Sequence, residues 1–192
     1  MQTLSYLCRM KEPNVVVRPA RREDAELIAT AVCMAVGYDT SHPIYPVFLT
    51  LAAREVSQYS YRNALIGEIG GRAAGAIVSY DGARLAELRE PIYPLLEEHL
   101  GSIPEIEDET DDGEYYLDSV GVLSQFRGRG VGAALLSAAT DKAFGEGYER
   151  VGLIVDYNNP AAERLYASLG FERVGTRLFL GHKMWHLQRT KQ

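Results

Sequence analysis

Gln125-Phe126-Arg127-Gly128-Arg129-Gly130-Val131-Gly132 is the stretch on which the reading of this chain turns. It follows an apolar, β-branched run, Tyr115–Val122, and opens a segment in which Val131, Ala134, Leu135 and Ala138 recur at helical spacing, so it joins a strand to a helix. The N–H groups in the first turn of a helix have no carbonyl one turn earlier to bond, and they carry a partial positive charge. Glycines let such backbone approach a bound anion without an intervening Cβ, and Arg127 and Arg129 add charge-assisted donors. The stretch reads as a cradle for a diphosphate. Its bland alternative is a turn that needs left-handed backbone angles and nothing more.

Outward from this turn the pattern predicts a helix over 131–144, a strand at Arg150–Asp156, a helix over 161–169 and two last strands over 171–174 and 183–187. Toward the N-terminus, a short β-branched strand over 15–18 closes at Pro19, because the residue before proline avoids helical geometry. Ile28, Ala31, Val32, Ala35 and Val36 then mark a helix that begins after Glu23-Asp24 and stops at Gly37. A second helix is expected over 45–61, and Ala64–Ile69 and 73–80, separated by Gly70-Gly71, read as a hairpin. Residues 81–112 break the rhythm and read as an insertion or lid. Their acidic run, 105–112, is expected to be a solvated loop or, failing that, a weak attractor of cations. Alternating strands and helices imply an α/β or α+β sheet with helical cover: one domain, 15–192, after an extension, 1–14.

Composition narrows the function. With 46% hydrophobic and 24% charged residues, the chain fits one globular domain with a substantial core. A net charge of −6 gives no general attraction to nucleic acid or to anionic lipid, and no stretch is apolar for long enough to cross a bilayer. Cys8 and Cys33 make neither a disulfide framework nor a zinc spacing, which points to a reducing compartment, and a soluble cytoplasmic protein is expected. His182 and His186 share a strand face but have no further ligands in view, so they are read as structural and no metal is expected.

The segment Gly128-Arg129-Gly130-Val131-Gly132-Ala133 also satisfies the dinucleotide pattern G-x-G-x-x-A, with Asp156 ending the next strand, which would make the chain an NAD(P)-binding oxidoreductase. Two features oppose that reading. Leu123 to Arg127 intervene between strand and glycines, and only about 60 residues remain to complete a doubly wound sheet.

The same residues resemble the GNAT family of N-acetyltransferases. Its acyl-CoA signature R/Q-x-x-G-x-G/A stands here as Gln125-Phe126-Arg127-Gly128-Arg129-Gly130, and its Asn-x-x-Ala-x-x-Leu-Tyr-x-x-x-Gly-Phe pattern runs from Asn159 through Leu165, Tyr166 and Gly170 to Phe171. The resemblance implies a mixed, mostly antiparallel sheet flanked by helices. Its fourth and fifth strands, Tyr115–Val122 and Arg150–Asp156, would be parallel and splay apart to admit a pantetheine arm. It implies acetyl-CoA as donor, with CoA as co-product, held by Val120, Gly121, Val122, Gln125, Arg127, Gly128, Arg129, Gly130, Val131, Gly132 and Asn159. Tyr166 would stand beside the sulfur as a proton donor, and an amine, small or peptidic, would attack directly in a ternary complex.

Each role has a plainer alternative. Ala162, Leu165, Tyr166 and Leu169 share one helical face, where a tyrosine ordinarily packs, and Asn159 before Pro160 is a natural helix cap. The free amine requires a base or a desolvating pocket near neutral pH. Strand alternation puts Tyr116, Asp118, Val120 and Val122 on one face, which makes Asp118 the carboxylate nearest the thioester; Glu114 and water relays stay open. Twelve tyrosines against five phenylalanines suggest polar-tipped walls, with Tyr38, Tyr45, Tyr80 and Tyr93 near the acceptor. A non-catalytic acyl-CoA sensor is the alternative function. The acceptor's identity and the oligomeric state, a homodimer among the options, are not written in these patterns.

Overall fold

The β-branched run before Pro19 forms the edge strand β1 (Val15–Pro19) of a seven-stranded sheet. The computed structural model describes residues 15–192, and the 1–14 extension with Cys8 lies outside the described residues. The sheet continues with β2 (Ala64–Ile69), β3 (Arg72–Asp81), β4 (Tyr115–Val122), β5 (Arg150–Asp156), β6 (Glu172–Phe179) and β7 (His182–Thr190), in the order β1-β2-β3-β4-β5-β7-β6. Every neighbouring pair is antiparallel except β4–β5. The mixed, mostly antiparallel sheet with parallel fourth and fifth strands is the expected one.

Helices cover both faces. On one lie α1 (Ala25–Ala35), α2 (Tyr45–Ala52), α3 (Leu85–Arg89) and α4 (Tyr93–Leu100), which bury Ile28, Val32, Val47, Leu51 and Leu96 against Ile66 and Val78. The other carries α5 (Val131–Gly145) and α6 (Pro160–Ser168), with Leu135 and Leu136 packed on Ile77, Leu153 and Leu187. Each such side chain contributes roughly 1.5–3 kcal/mol on burial. Among the described residues no helix is long and apolar enough to cross a membrane, and no group of three or more His, Cys, Asp or Glu is placed to hold a metal ion.

Four expectations need correction. The helix expected over 45–61 stops at Ala52, where hydroxyls take main-chain carbonyls at and just beyond its end: Ser57 Oγ donates to Leu51 C=O at 2.8 Å and Ser60 Oγ to Arg54 C=O at 2.6 Å. The last two strands are longer than predicted, and in β6 a bulge between Arg173 and Gly175 hides the alternation. The acidic run 105–112 is not wholly the solvated loop expected, because Glu109 and Thr110 are buried, while Leu85, Leu88, Ile92, Leu95 and Leu96 of the preceding 81–104 stretch belong to the α1-side core.

The fourth correction concerns β4. Ser119 pairs with Val78 and Leu117 with Ser79, so Asp118 is the extra residue of a β-bulge. Strict alternation fails there: Tyr116 stays on the α1 face, whereas Val120 and Val122 join the α5-side cluster. Gly121 lies against α1, where an added Cβ would come 2.5 Å from Ala31 Cα.

Candidate active site

At the end of β4 the Leu123 N–H returns to Ala74 C=O at 2.9 Å. Residues alternate in the edge to which they turn their main-chain groups, so Leu123 and Gly121 serve β3, while Val122 and Val120 face the β5 side. That side is open. The two parallel strands pair only at Tyr115–Val151 and Tyr116–Gly152 and then diverge. The pairing is pinned by Glu114, a fully buried carboxylate that accepts from Thr110 at 2.8 Å and Gln188 at 2.7 Å and lies 3.0 Å from His186 Nε2. Burial pushes its carboxyl up, but these hydrogen bonds outweigh that and hold it below the usual range. Glu114 and His186 hold each other inside the fold, and neither is on the cavity wall described below.

One 3-10 turn, Ser124–Phe126, carries the chain to α5. Phe126 is buried and anchors the turn; the guanidinium carbons of Arg72 and Arg129 stand 5.2 Å and 5.9 Å from its ring centroid. Gly128 and Gly130 have φ of 72° and 78°, left-handed values that only glycine adopts without strain, and neither has an atom within 4 Å of where a Cβ would stand. Ala134 N–H bonds Gly130 C=O at 3.0 Å, which leaves the N–H groups of Val131, Gly132 and Ala133 at the helix's open end. This cradle fits a diphosphate. Gln125 and Arg129 are exposed at its rim, whereas Arg127 Nε donates to Val122 C=O at 3.2 Å and braces the turn. Val131 is buried and offers only its main chain, and Gly121 packs on α1 with its own main chain turned to β3. Arg72, from the other end of the β2–β3 hairpin turn, is a basic neighbour that the sequence pattern did not single out.

Between the diverging strands runs a cavity of about 580 Å³. It passes through the sheet, for its walls include Met34 and Tyr59 of the α1 layer as well as Leu136, Ala162 and Tyr166 of the α5 layer. Asn159 lines it and also caps α6, accepting from Ala162 N–H at 3.1 Å, with Pro160 at the first helical position. Tyr166 is half-buried, its ring 6.3 Å from that of Phe171, and burial pushes its phenol up to about 12.

The family model for the acetyltransferase (GNAT) family matches residues 34–171. The chain belongs to the GNAT family. The family's chemistry is acyl transfer from an acyl-CoA. The chain is 34% identical over 109 residues to the N-alpha-acetyltransferase RimI of Mycobacterium tuberculosis (strain ATCC 25618 / H37Rv), 57% of this chain and 54% of that protein. It is 48% identical over 61 residues to a mycothiol acetyltransferase of Kocuria rhizophila, 32% of this chain and 20% of that one. The matched part is thus about half the length of the first relative and a fifth of the second. Among solved structures, an acetyltransferase crystal structure superposes with a TM-score of 0.76 at 31% identity, covering 92% of this chain and 100% of that one. An N-acetyltransferase from Staphylococcus aureus Mu50 gives 0.78 at 25%, covering 90% and 99%.

The α1 side of this GNAT cavity holds a polar cluster. Asp118, re-aimed by the bulge, accepts from Tyr80 OH at 2.6 Å, Gln58 Nε2 at 2.8 Å and Ser119 Oγ at 2.6 Å. The Gln58 amide also donates to Glu109 Oε1 at 3.0 Å, and Glu109 pairs with the buried Arg89, which reaches Asp108 at 2.9 Å as well. Both carboxylates line the cavity. Burial first and the Asp118 charge second push the Glu109 carboxyl up to about 7, against the pull of Arg89. The acidic run is therefore not simply a solvated loop. Of the tyrosines expected nearby, Tyr38 lines the cavity and Tyr80 holds Asp118, whereas Tyr45 and Tyr93 pack in the α1-side core. On this side of the cavity Tyr59, Gln58 and Glu109 are residues that sequence reasoning missed.

Proposed function

We propose that this chain moves an acetyl group from acetyl-CoA to a primary amine in a single ternary complex, and that residues 15–192 form one N-acetyltransferase domain whose 81–112 segment builds the acceptor side. The observation that carries the reading is the cavity through the sheet, with Tyr166 on one wall and Asp118 on the other. Substrates that arrive from opposite faces meet between those walls, so no acyl group has to rest on the protein. Cys33, fully buried in α1, is not on the cavity wall.

Acetyl-CoA, when bound, supplies a thioester carbon open to attack by an amine. The N–H groups at the start of α5, with Gln125, Arg129 and Arg72, hold the diphosphate. Val120 and Val122 offer main-chain hydrogen bonds along the open edge of β4, and an N–H there polarises the carbonyl oxygen. Tyr166 keeps its proton throughout the neutral range and donates at the leaving sulfur. Asp118, which shares the Gln58 amide with Glu109, takes a proton from the amine; an alkylammonium has a pKa near 10.4 in water, so a carboxylate held at the cavity wall is needed to free the nucleophile.

The test is release of free thiol from acetyl-CoA across a panel of amines, with CoA binding followed by calorimetry. Saturable, amine-dependent release is expected. A protein that binds CoA and releases thiol with no acceptor would be a sensor, and acylation of Cys33 at a rate matching turnover would replace direct attack by a two-step route.

A further inference from the structure

Only one carboxylate of the cavity lacks a basic partner among the described residues. Glu109 is paired with Arg89, and Asp156 at the rim lies 3.2 Å from His182 Nδ1, which leaves Asp118. The same cavity is lined by the apolar side chains Met34, Tyr38, Ile154, Phe179, Leu180 and Met184.

Leu180 occupies its place against backbone preference. It and Gly181 form the two-residue connection between β6 and β7, with φ of 49° and 77°. Two successive positive φ values are the pattern of a type I′ turn, which favours Asn-Gly or Asp-Gly. A leucine there is forced into the left-handed region, and Leu180 is the one non-glycine with positive φ among the described residues. Turn chemistry alone would choose asparagine or glycine. What the leucine supplies instead is a half-exposed apolar side chain on the cavity wall, at a tip held in place by its own N–H, which donates to Glu107 Oε2 at 2.9 Å. Arg177 of the same hairpin pairs with Asp111, so both ends of the acidic segment are tied to it. Backbone strain retained at a site wall marks a side chain kept for what it contacts.

We infer that the acceptor is an amine with a single cationic nitrogen on an apolar body, and that Leu180 is the residue that selects the apolar part. The inference rests on the N-acyl transfer proposed above. The chemistry is shared by two sources, a free aryl- or alkylamine and the first residue of a peptide with an apolar side chain.

The experiment compares thiol release by the wild-type chain, Leu180→Asn and Leu180→Gly at saturating acetyl-CoA. The acceptors are phenethylamine, a peptide beginning with leucine, spermidine and glucosamine. Both substitutions suit the turn, so the melting temperature should hold or rise. For the wild type, kcat/KM for the better apolar acceptor should exceed that for spermidine and glucosamine at least about ten-fold, and Leu180→Asn should raise its KM about ten-fold. CoA affinity should stay put, since Leu180 is tied through Glu107 to the segment proposed for the acceptor side and stands apart from the α5 turn. Whichever apolar acceptor leads assigns the source. If spermidine or glucosamine matches it, or if both variants leave KM unchanged, the inference is wrong while acyl transfer stands. Absence of release with every amine overturns the transfer reading and this inference with it.

Discussion

Replacing Gly132 by alanine separates two reasons for a glycine at the start of α5. In a helix alanine is favoured over glycine by about 1 kcal/mol. A Cβ on Gly132 would meet only Val122 Cγ2, at 3.7 Å, an ordinary contact, so nothing in the fold resists it. In a chain of 192 residues that gain corresponds to roughly 2–4 °C in melting temperature. The cofactor should respond in the opposite sense, because the methyl group would stand where main-chain N–H groups meet phosphate oxygens. Losing one charge-assisted hydrogen bond at about 1.5–3 kcal/mol weakens CoA binding roughly ten- to hundred-fold. Calorimetric titration with CoA and a thermal melt of the same sample read both quantities. A higher melting temperature with CoA affinity unchanged to within about two-fold would refute the reasoning, since the glycine would then serve neither fold nor cofactor.

Three further outcomes are expected. Tyr166→Phe keeps the ring against Phe171 but removes the proton donor, so kcat should fall about 10²-fold or more with CoA affinity little changed; an unaltered kcat would make Tyr166 a packing residue. Glu109, raised from an ordinary 4.5 to about 7, holds a proton between those values that the unfolded chain has lost. Stability should therefore decline as pH rises across that window and kcat/KM should climb near its upper end, and Glu109→Gln should flatten the first and abolish the second. Melting curves and pH–rate profiles that are superimposable for the two proteins would rule this out. Gly152→Ala would put a Cβ 2.0 Å from Glu114 Oε2, and displacing that buried carboxylate should cost about 3 kcal/mol or more in urea denaturation. A loss below about 1 kcal/mol would mean that Glu114 does not pin the parallel pair.

The local geometry proposed for the donor side was legible because its parts are contiguous. Eight residues from Gln125 to Gly132 carry the turn, the left-handed glycines and the helix start, and 13 from Asn159 to Phe171 carry the cap and Tyr166. The acceptor half was not, because its contacts are distant in sequence. Glu109 reads as part of a solvated run until Arg89, 20 residues away, and Gln58, 51 residues away, are seen to hold it inside. Asp118, singled out from the sequence, does line the cavity, but the face it was expected to share with Val120 and Val122 was wrong, since a bulge adds a residue that no periodicity of two can announce. The Leu180-Gly181 turn was passed over for a related reason: its first residue is not one that such turns favour.

Because the cavity perforates the sheet, its two sides are built from different lengths of polypeptide. One side is furnished by the end of β4, the start of α5 and α6; the other by α1, the stretch before β4 and the tip of the last hairpin. On the proposed reading the architecture amounts to a division of labour in which client choice can be rewritten in peripheral segments while the machinery for the activated donor stays untouched. Two molecules that share a meeting point but no doorway can also be accommodated, or replaced, independently of each other.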